Sequence, residues 1–159
     1  MPAHADRRSF LISGPLGALG ALALTTRVDA AERTTEERLN VSVTTAFCKA
    51  WEKQDPNTLA GFLAPDCVLR LSERSPAIMG REAALARFSR AAGASADAPR
   101  WEINIIETFA KGPIVVNERH DRGITASKTT VYLVAGFFVV HDGKITEWTD
   151  FMLPGSAPF

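Results

Sequence analysis

The sequence predicts an α+β fold: a cone-like, strongly curved, mainly antiparallel β-sheet with three helices from the N-terminal half forming a pocket on its concave face. Two observations predict it. Between residues 34 and 92 apolar residues recur at helical spacing, whereas after Pro99 the chain runs in long β-rich stretches. Those stretches are joined by tight-turn signals, above all Asp142-Gly143, so sequence neighbours pair as hairpins. A chain of 159 residues has room for one core.

The elements follow in order. From Thr34 to Lys53, residues Leu39, Val43, Phe47, Ala50 and Trp51 recur at three- and four-residue steps and make one buried helix face. Thr34 or Thr35 caps that helix, and Glu36 and Glu37 suit its positive end. A short helix is expected over Pro56–Leu63, with Asp55 as N-cap and Pro56 as its first residue. Asp66–Glu73 reads as a strand. A third helix runs from Arg81 to about Ala92, after Gly80, and a small-residue loop spans 93–99. Four strands complete the chain: Trp101–Lys111, Ile114–Arg122, Thr129–His141 and Lys144–Leu153. Trp51, Phe62, Phe88, Trp101 and Phe109 are expected in the core or the cavity wall. Phe137-Phe138-Val139-Val140 is apolar throughout, so half of it lies on the outer sheet face and needs cover, which a homodimer would give.

Residues 1–30 read as an address rather than as part of the fold. Arg7-Arg8 followed by Ser9-Phe10-Leu11 resembles a bacterial twin-arginine export signal. The apolar run from Phe10 to Leu24 falls short of the roughly 18 residues of a spanning helix. Small residues at Val28-Asp29-Ala30 place cleavage after Ala30, leaving a domain of residues 31–159 without a stable membrane anchor. The expected destination is periplasmic or secreted. Lys+Arg and Asp+Glu are 18 each, so no basic surplus points to nucleic acid. Cys48 and Cys67 are too few for a disulfide scaffold or zinc ribbon, and two separate buried thiols are expected over a disulfide. No His/Cys/Asp cluster has metal-ligand spacing, and no phosphate loop or Gly-x-Ser-x-Gly occurs, so neither metal nor cofactor is expected.

The chemistry-bearing residues come from two strands. Side chains alternate along a strand, so Asn117, Arg119 and Asp121 share one face while Glu118 and His120 share the other. Trp148, Asp150 and Met152 also share a face, and its two apolar members point it inward. If both faces look into one cavity, it holds Asp121, Arg119 and Asp150. An arginine between two aspartates satisfies both carboxylates through its planar fork. Against an apolar wall one acid keeps its proton and the other ionises, which is the arrangement acid/base catalysis needs. Spacing alone equally allows a structural ion pair on a solvated face.

The stretches Glu118-Arg119-His120-Asp121, Gly136-Phe137-Phe138, His141-Asp142-Gly143-Lys144-Ile145 and Trp148-Thr149-Asp150-Phe151 resemble the limonene-1,2-epoxide hydrolase family, in the nuclear transport factor 2-like, SnoaL-like superfamily. Gly80-Arg81-Glu82 resembles that family's Gly-Arg-Asp helix start. The resemblance implies that Asp150 is a general base for water, Asp121 a general acid toward the epoxide oxygen, and Arg119 their bridge. Water would open the ring in one step, giving a vicinal diol without a covalent intermediate. The resemblance also implies a dimer. One departure stands out: the family's water-holding tyrosine and asparagine on the first strand fall on Leu69 and Leu71 here, and Asn117 is the candidate substitute. Asn117, Leu69, Leu71, Trp148 and Met152 are thus the expected substrate-binding residues.

The sequence reading is therefore a cofactor-independent hydrolase acting on a small apolar epoxide. Its rivals are an isomerase or cyclase using the same carboxylates, and a non-catalytic periplasmic binder of small ligands.

Overall fold

The computed structural model describes residues 33–93 and 98–157, so the expected export segment, residues 1–30, lies outside the described residues. Helix α1 (Thr35–Trp51) begins at Thr34, whose hydroxyl accepts the Glu37 N–H at 3.1 Å while Glu37 accepts the Thr34 N–H at 2.8 Å. This reciprocal cap satisfies two otherwise unpaired donors. The same Glu37 carboxylate accepts the Gly112 N–H at 3.0 Å, and Asn40 donates to the Gly112 carbonyl at 3.0 Å. Two polar side chains thereby pin the helix to a distant turn. They also rotate the buried face: Glu37, Asn40, Thr44, Phe47 and Cys48 face inward, and Leu39, expected inside, is 62% exposed.

Helix α2 (Pro56–Ala60) is capped by Asp55, which accepts from Asn57 and Thr58 N–H. It ends before the expected Leu63, because Leu63 opens strand β1 (Leu63–Arg70). Strand β2 (Ile78–Met79) is too short for any period to announce it. Helix α3 (Arg81–Gly93) follows, then β3 (Arg100–Lys111), β4 (Ile114–Ile124), β5 (Thr129–His141) and β6 (Lys144–Met152). The six strands form one sheet in the order β2-β1-β6-β5-β4-β3, antiparallel throughout except for the parallel β1–β6 pair. Asp142 and Gly143 both have positive φ, 49° and 70°, as a tight primed turn between β5 and β6 requires.

The inner face of the sheet and the helices enclose an aromatic core. Phe47 meets Trp148 edge-on at 5.3 Å, and Phe138 stacks on Trp148 at 6.1 Å. Phe88 packs edge-on against Trp51 at 4.5 Å. Cys48 and Cys67 are separate, buried, free thiols. Phe109, expected in the core or cavity wall, is 58% exposed, because it pairs with Val116 on the outer face. Phe151, Ile114 and Val131 are exposed on the same face.

Candidate active site

A register shift builds the site. From the Asp142-Gly143 turn, Val140 pairs with Ile145, but Val139 pairs with Glu147, leaving Thr146 as an extra residue. The Thr146 hydroxyl donates to the Val139 carbonyl at 3.2 Å. Without the extra residue Gly136 would face Thr149, and Asp150 would point outward. With it, Asn117, Gly136 and Asp150 lie in one row across β4, β5 and β6, and Trp148 and Asp150 turn inward.

Arg119 lies across that row. Its Nε donates to both Asp121 oxygens at 3.1 and 2.9 Å, its Nη1 donates to Asn117 Oδ1 at 3.1 Å, and its Nη2 donates to Asp150 Oδ2. The Trp148 indole N–H donates to the other Asp150 oxygen at 2.5 Å. All five side chains are buried; Arg119 is 3% exposed, Asp121 7% and Asp150 6%. The site is therefore an interior ion cluster and not a solvated surface pair.

Glycine at position 136 makes room for it. A Cβ there would stand 2.1 Å from Arg119 Nη1 and 2.7 Å from Asn117 Oδ1. The guanidinium thus rests directly on the β5 backbone, a close approach that only glycine permits.

One cation faces two acids, so electrostatics favours a single shared proton. Burial raises the Asp150 pKa to about 6 despite the opposing Arg119 charge. Burial raises Asp121 as well. For Arg119 the cost of burial is outweighed by the Asp150 and Asp121 charges, so it stays charged. The neighbouring Cys48 thiol, pushed up to about 11 by burial, stays protonated. It accepts a hydrogen bond from Asn117 Nδ2 at 3.5 Å.

Beside the acids lies a chamber of about 50 Å³, lined in part by Asp121, Asp150, Trp148, Met152, Leu71 and Tyr132. All six line it together, and the sequence leads one to expect the first five. Two expected binding residues fall elsewhere. Leu69 is fully buried in the core, and Asn117 is 1% exposed with its amide engaged by Arg119 and Cys48. Asn117 shares the strand face of Arg119 but does not line the chamber, and its amide is engaged by Arg119 and Cys48, so it is not placed to hold a water there. His120, as expected, lies on the opposite strand face from Asp121.

Tyr132 was absent from the sequence reading. It pairs directly with Asp121 across β4 and β5, and its ring lies 5.7 Å from that of Trp101. Taking Thr125-Ala126-Ser127-Lys128 as a four-residue turn gives this pairing from the sequence.

A family model described as the SnoaL-like domain matches residues 44–148. The chain belongs to the SnoaL-like domain family. An LEH-like epoxide hydrolase from M. tuberculosis resembles this SnoaL-like domain at 27% identity and a TM-score of 0.66, over 74% of this chain and 85% of that one. The epoxide hydrolase/cyclase-like enzyme SalBIII, from pyran ring formation in the polyether salinomycin, matches at 12% identity and a TM-score of 0.65, over 76% and 95%. A protein with a ketosteroid isomerase-like fold from Catenulispora acidiphila DSM 44928, in complex with trimethylamine, matches at 21% identity and a TM-score of 0.62, over 72% and 87%. The last two likenesses show the fold alone. No curated protein matches the chain. The SnoaL-like domain has the nuclear transport factor 2-like fold that the sequence resemblance implied, in a family whose structural neighbours span hydrolase, cyclase and isomerase chemistry.

Proposed function

We propose that this SnoaL-like domain opens epoxides on small apolar molecules, using water as the nucleophile. One observation carries the reading: Arg119 bridges two buried aspartates at the end of an aromatic-walled chamber. The 27% identical LEH-like epoxide hydrolase supports it. Asp150, ionised, takes a proton from water as the oxygen attacks a ring carbon. Asp121, protonated, gives its proton to the ring oxygen as the C–O bond breaks. The product is a vicinal diol, and the proton gained by Asp150 returns to Asp121. Arg119 holds both acids in place and offsets the charge that moves between them.

The reactive form carries one proton for the two acids. Asp150 serves as base only when ionised, and its raised value of about 6 sets where it ionises. Turnover is therefore expected to rise with pH through that region, and a flat profile there would contradict the assignment. Asp150→Asn is expected to lower kcat by about 10²–10⁴-fold while the fold remains. Incorporation of one labelled oxygen from isotope-labelled water into the diol tests hydrolysis itself.

A second reading has its own support. Leu71, which lines the chamber from the segment just after β1, is apolar where the sequence resemblance implies a water ligand. That favours an isomerase or cyclase that moves a proton without external water. A rearranged product free of label would select it, and binding without turnover of any epoxide or enone would leave a ligand-binding module.

The same proposal includes export of the folded domain by residues 1–30 and a homodimer through the outer sheet face, where Phe109 and Phe151 are exposed. Light scattering at micromolar concentration is expected to give twice the monomer mass, and a monomer would remove the dimer.

A further inference from the structure

A second hollow shares walls with the chamber at the acids. Trp51, Leu71 and Trp101 wall both that chamber and this hollow of about 130 Å³. The second hollow ends at Arg87 and Gln54. Arg87 stands on α3 one residue before Phe88, whose ring packs on Trp51, and it is half-buried. Among the described residues Arg87 has no hydrogen bond and no carboxylate within ion-pair distance. Arg100, Arg119 and Arg122, in contrast, are each paired with an acid.

A half-buried guanidinium against aromatic walls has lost part of its hydration and has gained no partner in exchange. Its planar fork matches a carboxylate. The opposite end of the passage holds two acids whose one arginine is already engaged by both, so it offers a second anion no free cation. An anionic head group is thus held at Arg87 and kept from Asp121 and Asp150, so an apolar chain between them points its far end at the acids.

We propose that the two hollows form one site for an aliphatic carboxylic acid, with the carboxylate on Arg87 and the reactive carbon in the chamber. The reactive end rests on the epoxide reading; the carboxylate end does not. The test is therefore a binding experiment. Trp51 and Trp101 wall the passage, so tryptophan fluorescence of the intact protein reports occupancy. Octanoate is expected to bind roughly tenfold more tightly than octanol. Arg87→Gln is expected to reduce octanoate to the octanol level and leave octanol unchanged, with Arg87→Lys recovering part of the difference. Equal affinity for octanoate and octanol, no binding of either, or unchanged octanoate binding in Arg87→Gln would each overturn the proposal. Turnover of a terminal epoxy acid and its methyl ester gives a separate reading. Carboxylate-selective binding without diol formation keeps the Arg87 site and removes the hydrolase. Where diol forms, Arg87→Gln is expected to raise KM for the acid, not the ester, with kcat unchanged.

Discussion

Replacement of Arg119 by leucine is expected to abolish turnover and to make stability depend steeply on pH. The variant keeps Asp121 and Asp150 buried and removes the only cation among the described residues that bonds them. Breaking a buried ion cluster by deleting one member costs about 3–5 kcal/mol, because the charge left behind is uncompensated. Asp150 already has a pKa raised from the ordinary 3.8 to about 6 with Arg119 present, and loss of the guanidinium pushes it higher. A raised carboxylate pKa means that the folded state holds more protons than the unfolded state between the two values. Stability therefore declines as pH rises through that window. The deficit of Arg119→Leu relative to the parent is expected to be large at about pH 8 and to shrink toward about pH 4, where both acids are protonated. Urea melts at the two ends of the range measure it. An equal loss at both would mean that leucine disturbs packing and that charge is not the cause.

The second large effect is expected from one methyl group. Gly136→Ala places a Cβ 2.1 Å from Arg119 Nη1 and 2.7 Å from Asn117 Oδ1, closer than any real Cβ contact. The end of an arginine side chain ordinarily moves aside at little cost. Here it is held by Asp121, Asn117 and Asp150 at once, so any shift breaks hydrogen bonds in a buried place. Overpacking of this kind costs about 1–3 kcal/mol in stability. The displacement moves the two acids out of register, and a misplacement near 1 Å lowers turnover by about 10²-fold. Steady-state kinetics and thermal melts on Gly136→Ala test both parts. Wild-type kcat would show that the guanidinium is not the element that positions the acids.

The contrast between these two residues shows what was legible in the sequence. Arg119 and its aspartates could be found by strand alternation, since residues two apart share a face and charged residues inside need partners. Gly136 lies inside a stretch that resembles the epoxide hydrolase family, yet its reason for being glycine is a contact with side chains of the neighbouring strand β4. The buried face of α1 departs from the expected one at Leu39 for a similar cause. Local periodicity ranks leucine above Glu37 and Asn40, but the Gly112 turn supplies hydrogen bonds that make those two the buried residues. Asn117 was assigned to the cavity from the correct strand face. Its amide is bonded to the guanidinium two residues later and does not reach the chamber, and strand parity carries no information about which side chain lies above another. Tyr132 and Arg87 carry no local signal, because what singles them out is their place beside residues from other elements.

By itself the sequence determined the element types, the β5–β6 hairpin turn, the pairing of an arginine with two acids, and the apolar character of Leu71 beside them. Those are properties of short stretches, set by side-chain chemistry and by the periods of helix and strand. The tertiary structure decided which way the second acid faces. One extra residue at Thr146 shifts β6 against β5, and a one-residue shift exchanges the faces of every later side chain. It also decided that β5 leaves space over Gly136 for a guanidinium, and that Arg87, which has no ion-pair partner among the described residues, lines the hollow beside the chamber. Such facts depend on atoms brought together from distant parts of the chain, which no local pattern records.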